Sequence, residues 1–192
     1  MTRTIVISNQ KGGVAKTTTC LSLGGCLAEM GRTVLLIDMD PQANLTQSLG
    51  LKPESLRRTV GDALLGTDSL VGVSRESAVQ GMDIVPSNEG LVLLDKVLYK
   101  RPNYQFRLRD SLSAMDDGLY DYAVVDCPSS LGTMTINALA AADLRLKQSG
   151  YREEEVAEAP QGRSGRLLVV DDDEGTGRLL EQLLTKTHAV ER

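Results

Sequence analysis

Ile5-Val-Ile-Ser-Asn9-Gln-Lys11-Gly12-Gly13-Val14-Ala15-Lys16-Thr17-Thr18-Thr19 is the stretch that decides the fold. It opens in an apolar run over 4–8 that predicts a buried strand, and it turns at two glycines. Over 17–30, Cys20, Leu23, Leu27 and Met30 recur at helical spacing, and Gly31 stands where a helix C-terminal glycine belongs. A second apolar run over 33–38 completes strand, helix and strand within about 35 residues, a βαβ unit with a right-handed crossover expected.

The turn carries chemistry. The strict phosphate-loop pattern, G-x-x-x-x-G-K-[ST], fails twice, because Gln10 and Ala15 occupy its glycine positions. The physics survives. Gly12 and Gly13 let backbone N–H groups of Gly12, Gly13, Val14, Ala15, Lys16, Thr17 and Thr18 point inward, where the next helix adds its positive end. Lys16 can then reach outer phosphates, and the Thr17 hydroxyl can ligate Mg²⁺. An ordinary glycine turn before a helix would share Gly-Gly-x-x-Lys-Thr; the strand in front of it favours the nucleotide.

Further runs at 122–126 and 82–85 predict two more strands, and aspartates end the strongest ones: Asp38 with Asp40 close behind, and Asp126. Each alone reads as a helix cap or turn former, but consecutive strand ends beside a phosphate loop favour a site. Residues 89–117 read as helical with a break at 101–103, and another helix follows Gly132 to about Ala142. Leu144-Arg-Leu-Lys is read as no buried strand, which leaves the first strand with an unpaired apolar edge. The fold class expected is therefore α/β, a mostly parallel sheet with flanking helices.

Composition agrees. The 192 residues predict one domain plus a remainder, and the net charge of −5 disfavours coating nucleic acid by bulk charge. With no Trp and one Phe, the core must be aliphatic. Three cysteines without metal-ligand spacing suit reduced thiols in a cytoplasm, no apolar window reaches a membrane span, and residues 1–10 do not read as a signal peptide. Lys96, Lys100, Arg101, Arg107 and Arg109 occur without an intervening acid; a solvated helix face explains them better than a nucleic-acid or acidic partner.

Three blocks together resemble the ParA/MinD-type partition ATPases, nearest the ParA/Soj branch: Lys11-Gly-Gly-Val-Ala-Lys-Thr-Thr18, Leu36-Ile-Asp-Met-Asp-Pro-Gln-Ala-Asn44, and Tyr120-Asp-Tyr-Ala-Val-Val-Asp-Cys-Pro-Ser-Ser-Leu-Gly132. The resemblance covers about residues 1–143 and implies a phosphate-loop NTPase fold with ATP and Mg²⁺. It implies that Lys11 reaches across a face-to-face homodimer to the partner's ATP, that Asp40 orients the attacking water, and that Asp126, with Thr17 and Asp38, holds the Mg²⁺ shell. It also implies a ParB-like DNA-binding partner, non-specific DNA and a nucleoid-associated, cytoplasmic location, with no membrane. The chain departs from the pattern after Asp143, so the ATPase domain over 1–147 is expected to be C-terminally incomplete.

Residues 148–165 have linker composition. Arg166-Leu-Leu-Val-Val-Asp-Asp-Asp-Glu174 resembles the opening of a response-regulator receiver domain, making 166–192 a β-α stub without a phosphoacceptor. Its strand, 166–170, has the option of docking on the first strand's edge. Three functions follow in order: slow, Mg²⁺-dependent ATP hydrolysis coupled to dimerisation in plasmid or chromosome partitioning; a nucleotide-binding module or fragment unable to hydrolyse; and a receiver-linked signalling fusion.

Overall fold

The computed structural model describes residues 2–9, 11–147 and 166–168. In chain order the elements are β1 (Arg3–Ser8), α1 (Lys16–Glu29), β2 (Val34–Asp38), α2 (Asn44–Ser48), α3 (Val60–Leu65), α4 (Leu70–Val73), β3 (Arg75–Glu76), β4 (Met82–Val85), α5 (Leu91–Leu98), α6 (Arg107–Ser113), β5 (Tyr122–Asp126), α7 (Thr133–Ala141), β6 (Leu144–Lys147) and β7 (Arg166–Leu168). The strands form one sheet in the order β3-β4-β2-β5-β1-β6-β7, parallel throughout except for the β3–β4 pair. The α/β class read from the sequence is the class observed.

Why the strands are apolar throughout is visible in the packing. Ile5, Ile7, Val34 and Leu36 join Cys20, Leu23 and Leu27 of α1 in one core cluster. The alternate residues Val6, Leu35 and Ile37 join Leu64, Leu94, Leu108 and Met134 in the other. Helices cover both faces, so neither set of side chains can be polar. The α1 face is tight: a Cβ on Gly24 would lie 2.7 Å from Leu36 Cδ2 and 3.0 Å from Met82 Sδ. α1 ends as expected at Gly31 (φ +76°), with Gly31 N–H donating to Ala28 O and Arg32 N–H to Leu27 O. That pair of bonds is a Schellman motif, and it needs the left-handed residue.

Three expectations at the C-terminal side are corrected. Leu144–Lys147 is a strand, β6, parallel to β1 with Ile5 opposite Leu144 and Ser8 opposite Lys147. The edge of β1 is consequently paired, since β1 lies between β5 and β6. Residues 166–168 pair with β6, not with β1. The cause is a clamp that starts β6 in register: Asp143 N–H donates to Thr4 O (3.0 Å) while Asp143 Oδ2 accepts from Thr4 N–H (3.0 Å). The linker expected over 148–165, Asp171, Asp172 and the helical part expected of the 166–192 stub lie outside the described residues.

Candidate functional site

The site lies where the strands end. Asp126 is the residue opposite both Ile7 of β1 and Asp38 of β2, so three adjacent strands finish together beside the glycine turn. Ligands of open parallel sheets bind outside such carboxyl ends. In the turn, Gly13 (φ +75°) and Ala15 (φ 59°) are both left-handed. Ala15 precedes the first residue of α1 without a side-chain cap, and no acid occupies the first turn of the helix. Thr19 N–H and Oγ1 both donate to Ala15 O at 2.8 Å, fixing the entry to the helix. Lys11, Gly12, Gly13, Ala15 and Thr18 are exposed, Thr17 is half-buried, and Val14 and Lys16 are buried.

Lys16 folds back over the turn. Its Nζ donates to Ser129 Oγ (2.9 Å) and to Lys11 O (3.3 Å). The Lys11 N–H donates to Asn9 Oδ1 (3.0 Å). Thr17 Oγ1 donates to Asp126 Oδ2 at 2.6 Å. The other carboxylate oxygen, Asp126 Oδ1, is buried and has no hydrogen-bond partner among the described residues. A buried orphan acceptor of that kind is costly unless something else meets it. Burial pushes the Asp126 carboxyl up to about 7, aided by the charges of Asp38 and Asp40 and opposed by the Thr17 hydrogen bond and Lys16.

Asp38 is loaded differently. Its Oδ1 accepts from Asp40 N–H (3.0 Å), and its Oδ2 accepts from Thr46 N–H (2.9 Å) and Thr46 Oγ1 (2.7 Å). Burial raises its carboxyl to about 6, with the Thr46 bonds opposing the rise. Asp40 is half-buried, and its Oδ1 accepts from Gln42 N–H (2.9 Å). The oxygens of Thr17, Asp38 and Asp126 are hard donors of the kind Mg²⁺ prefers. Among the described residues no three His, Cys, Asp or Glu side chains form a metal cage.

Ser129, Thr46 and Ser87 were not singled out from the sequence. Ser129 sits inside a quoted block, whereas Ser87 meets Thr46 across 41 residues of chain and carries no local signal. Cys127 is a free, buried thiol. Of the basic residues, Lys96, Lys100 and Arg101 are exposed, and Arg109 lies 4.2 Å over the Phe106 ring and pairs with Asp110.

A glycine turn between β1 and α1, a lysine returning onto it, and a hydroxyl–carboxylate pair at the neighbouring strand end define a phosphate-loop NTPase-type fold. The AAA domain family matches residues 2–149, and the chain belongs to it, in the ParA/MinD-type partition ATPase group. It is 41% identical over 143 residues to the sporulation initiation inhibitor protein Soj of Bacillus subtilis, covering 74% of this chain and 56% of Soj. It is 43% identical over 141 residues to the chromosome partitioning protein ParA of Myxococcus xanthus, covering 73% and 50%. The chain thus spans about half the length of these curated relatives. Its structure is similar to cobyrinic acid a,c-diamide synthase from Mycobacterium smegmatis, solved with bound ATP analog and magnesium, at a TM-score of 0.77 and 32% identity over 97% of this chain and 82% of that one.

Proposed function

We propose that the chain binds ATP with Mg²⁺ and hydrolyses it slowly, in a cycle coupled to homodimerisation that serves plasmid or chromosome partitioning. The observation that carries this reading is the orphaned, buried Asp126 Oδ1 beside the Thr17 hydroxyl, one strand end from the glycine turn. Relatives that partition chromosomes and a similar structure solved with an ATP analog and magnesium support it.

The turn amides and the open end of α1 bind the phosphates, and Lys16 exchanges Ser129 and the Lys11 carbonyl for phosphate oxygens. Thr17 and Asp126 would hold Mg²⁺, with Asp38 in the surrounding shell, and the ion would supply positive charge that offsets the charge of the bound phosphates. Asp40, at the open side of the strand ends, orients the attacking water. Lys11, exposed on the turn, stabilises charge on the nucleotide of the second subunit, as an arginine finger does in trans. The ATPase unit is taken to span 1–147. A ParB-like protein and non-specific DNA are its proposed partners, in a nucleoid-associated cytoplasmic setting. No helix among the described residues is long and apolar enough to cross a membrane.

Turnover of Mg·ATP by the full chain tests the assignment. Asp40→Ala should lower kcat by ~10²-fold or more while ATP binding persists. Unchanged hydrolysis in that variant would remove Asp40 from the mechanism.

A further inference from the structure

We propose that Thr46 and Ser87 are positioning residues for Asp40, forming a buried hydroxyl relay that fixes its backbone and thereby aims its carboxylate. The proposal rests on the ATPase reading only for what Asp40 does to water; the relay itself rests on geometry.

Thr46 and Ser87 are both fully buried, where an unused hydroxyl would be a liability. Neither hydroxyl is idle. Thr46 Oγ1 donates to Asp38 Oδ2 (2.7 Å) and accepts from Ser87 N–H (2.9 Å). Ser87 Oγ in turn donates to the Asp40 carbonyl (2.7 Å). Asp40 is therefore held at both ends of its own residue, by Asp38 Oδ1 at its N–H and by Ser87 Oγ at its C=O. The end of β2 and the helix α2, neighbours in the chain, meet the distant loop after β4 here.

The local sequence completes the lock. Pro41 restricts Asp40 to an extended backbone. Asp40 O also accepts from Ala43 N–H (2.9 Å), closing a tight turn over 40–43 with proline second. Within that turn Asp40 Oδ1 accepts from Gln42 N–H, which leaves Oδ2 as the oxygen to meet a water. A carboxylate held this way presents one oxygen in one direction, and misplacing such a group by about 1 Å costs on the order of 10²-fold in rate. Among the described residues the hydrogen bonds of Ser87 run to Thr46 and to Asp40, not to the groups proposed to bind phosphate, so its effect passes through Asp40.

The test uses the full chain and three variants, Ser87→Ala, Thr46→Val and Thr46→Ser. Two quantities are read: hydrogen exchange of the Asp40, Gln42 and Ala43 amides in the free protein, and kcat and KM for Mg·ATP. Ser87→Ala should speed exchange at those amides by about tenfold, the loss of one hydrogen bond, with β5 amides unchanged. It should lower kcat by about tenfold and leave KM within about twofold, because ground-state binding is untouched. Thr46→Ser should behave as wild type, and Thr46→Val at least as severely as Ser87→Ala. Thr46→Val strips Asp38 of a donor and risks the fold, so Ser87→Ala carries the decision. Unchanged exchange in folded Ser87→Ala would overturn the relay, as would a raised KM with unaltered kcat. If the wild-type chain binds ATP without turning it over, the hydrolysis reading fails, and the exchange rates still decide the relay.

Discussion

Asp38 and Asp126 stand opposite one another in register, yet one carries three hydrogen bonds and the other leaves an oxygen unmet. That contrast, invisible in two strand-end aspartates written as letters, separates a carboxylate that braces a loop from one that keeps an acceptor oxygen unengaged among the described residues. That Lys16, Thr17 and Asp126 lie near the glycine turn was legible because their positions are set by distance along the chain from that turn and from a strand end. Thr46 and Ser87 were not, because a buried hydroxyl network depends on segments that only the folded sheet brings together. Ala15 adds strain to the same loop, being left-handed with a Cβ. Ala15→Gly should raise the stability of the free chain by ~0.5 kcal/mol, the relief exceeding glycine's extra entropy in the unfolded state. A denaturant titration checks this, and a loss of stability would show the loop to be unstrained.

At the scale of elements, periodicity predicted β1, β2, β4, β5, α1 and α7 to within a residue or two, because each pairs an apolar pattern with glycine, proline or polar punctuation. β6 was missed for a physical reason. Leu144-Arg-Leu-Lys147 alternates with period two, while the reading demanded an unbroken apolar run such as β1 and β5 show. The clamp that registers it, between Asp143 and Thr4, joins residues 139 apart in the chain. Asp143→Ala should free the Thr4 amide and cost about 1 kcal/mol. Hydrogen exchange would show faster exchange at Thr4 with β2 unaffected; an unaltered Thr4 rate would mean that backbone pairing alone holds β6.

Across the whole molecule, two raised carboxyls make stability depend on pH. Asp38 at about 6 and Asp126 at about 7 both lie above their ordinary value of 3.8, chiefly through burial. The folded chain therefore binds these protons more tightly than the unfolded chain. The resulting stabilisation is complete below the unfolded value and is lost as pH rises through the folded values. The ligand-free chain should lose stability between about pH 4 and pH 7, and Asp126→Asn should flatten that slope. Denaturation midpoints across the window measure it; a midpoint that climbs with pH would contradict the buried, like-charged pair. The same pair explains why a cation suits the place: it meets the orphan oxygen and offsets the repulsion that burial intensifies.

The proposed ATP cycle depends on the glycine turn being a phosphate site. Calorimetric titration of the purified chain with Mg·ATP, beside Lys16→Ala, addresses that directly. Saturable binding in the roughly micromolar range, lost in the variant, is the result predicted. No binding by the folded chain, or equal binding by Lys16→Ala, would contradict it.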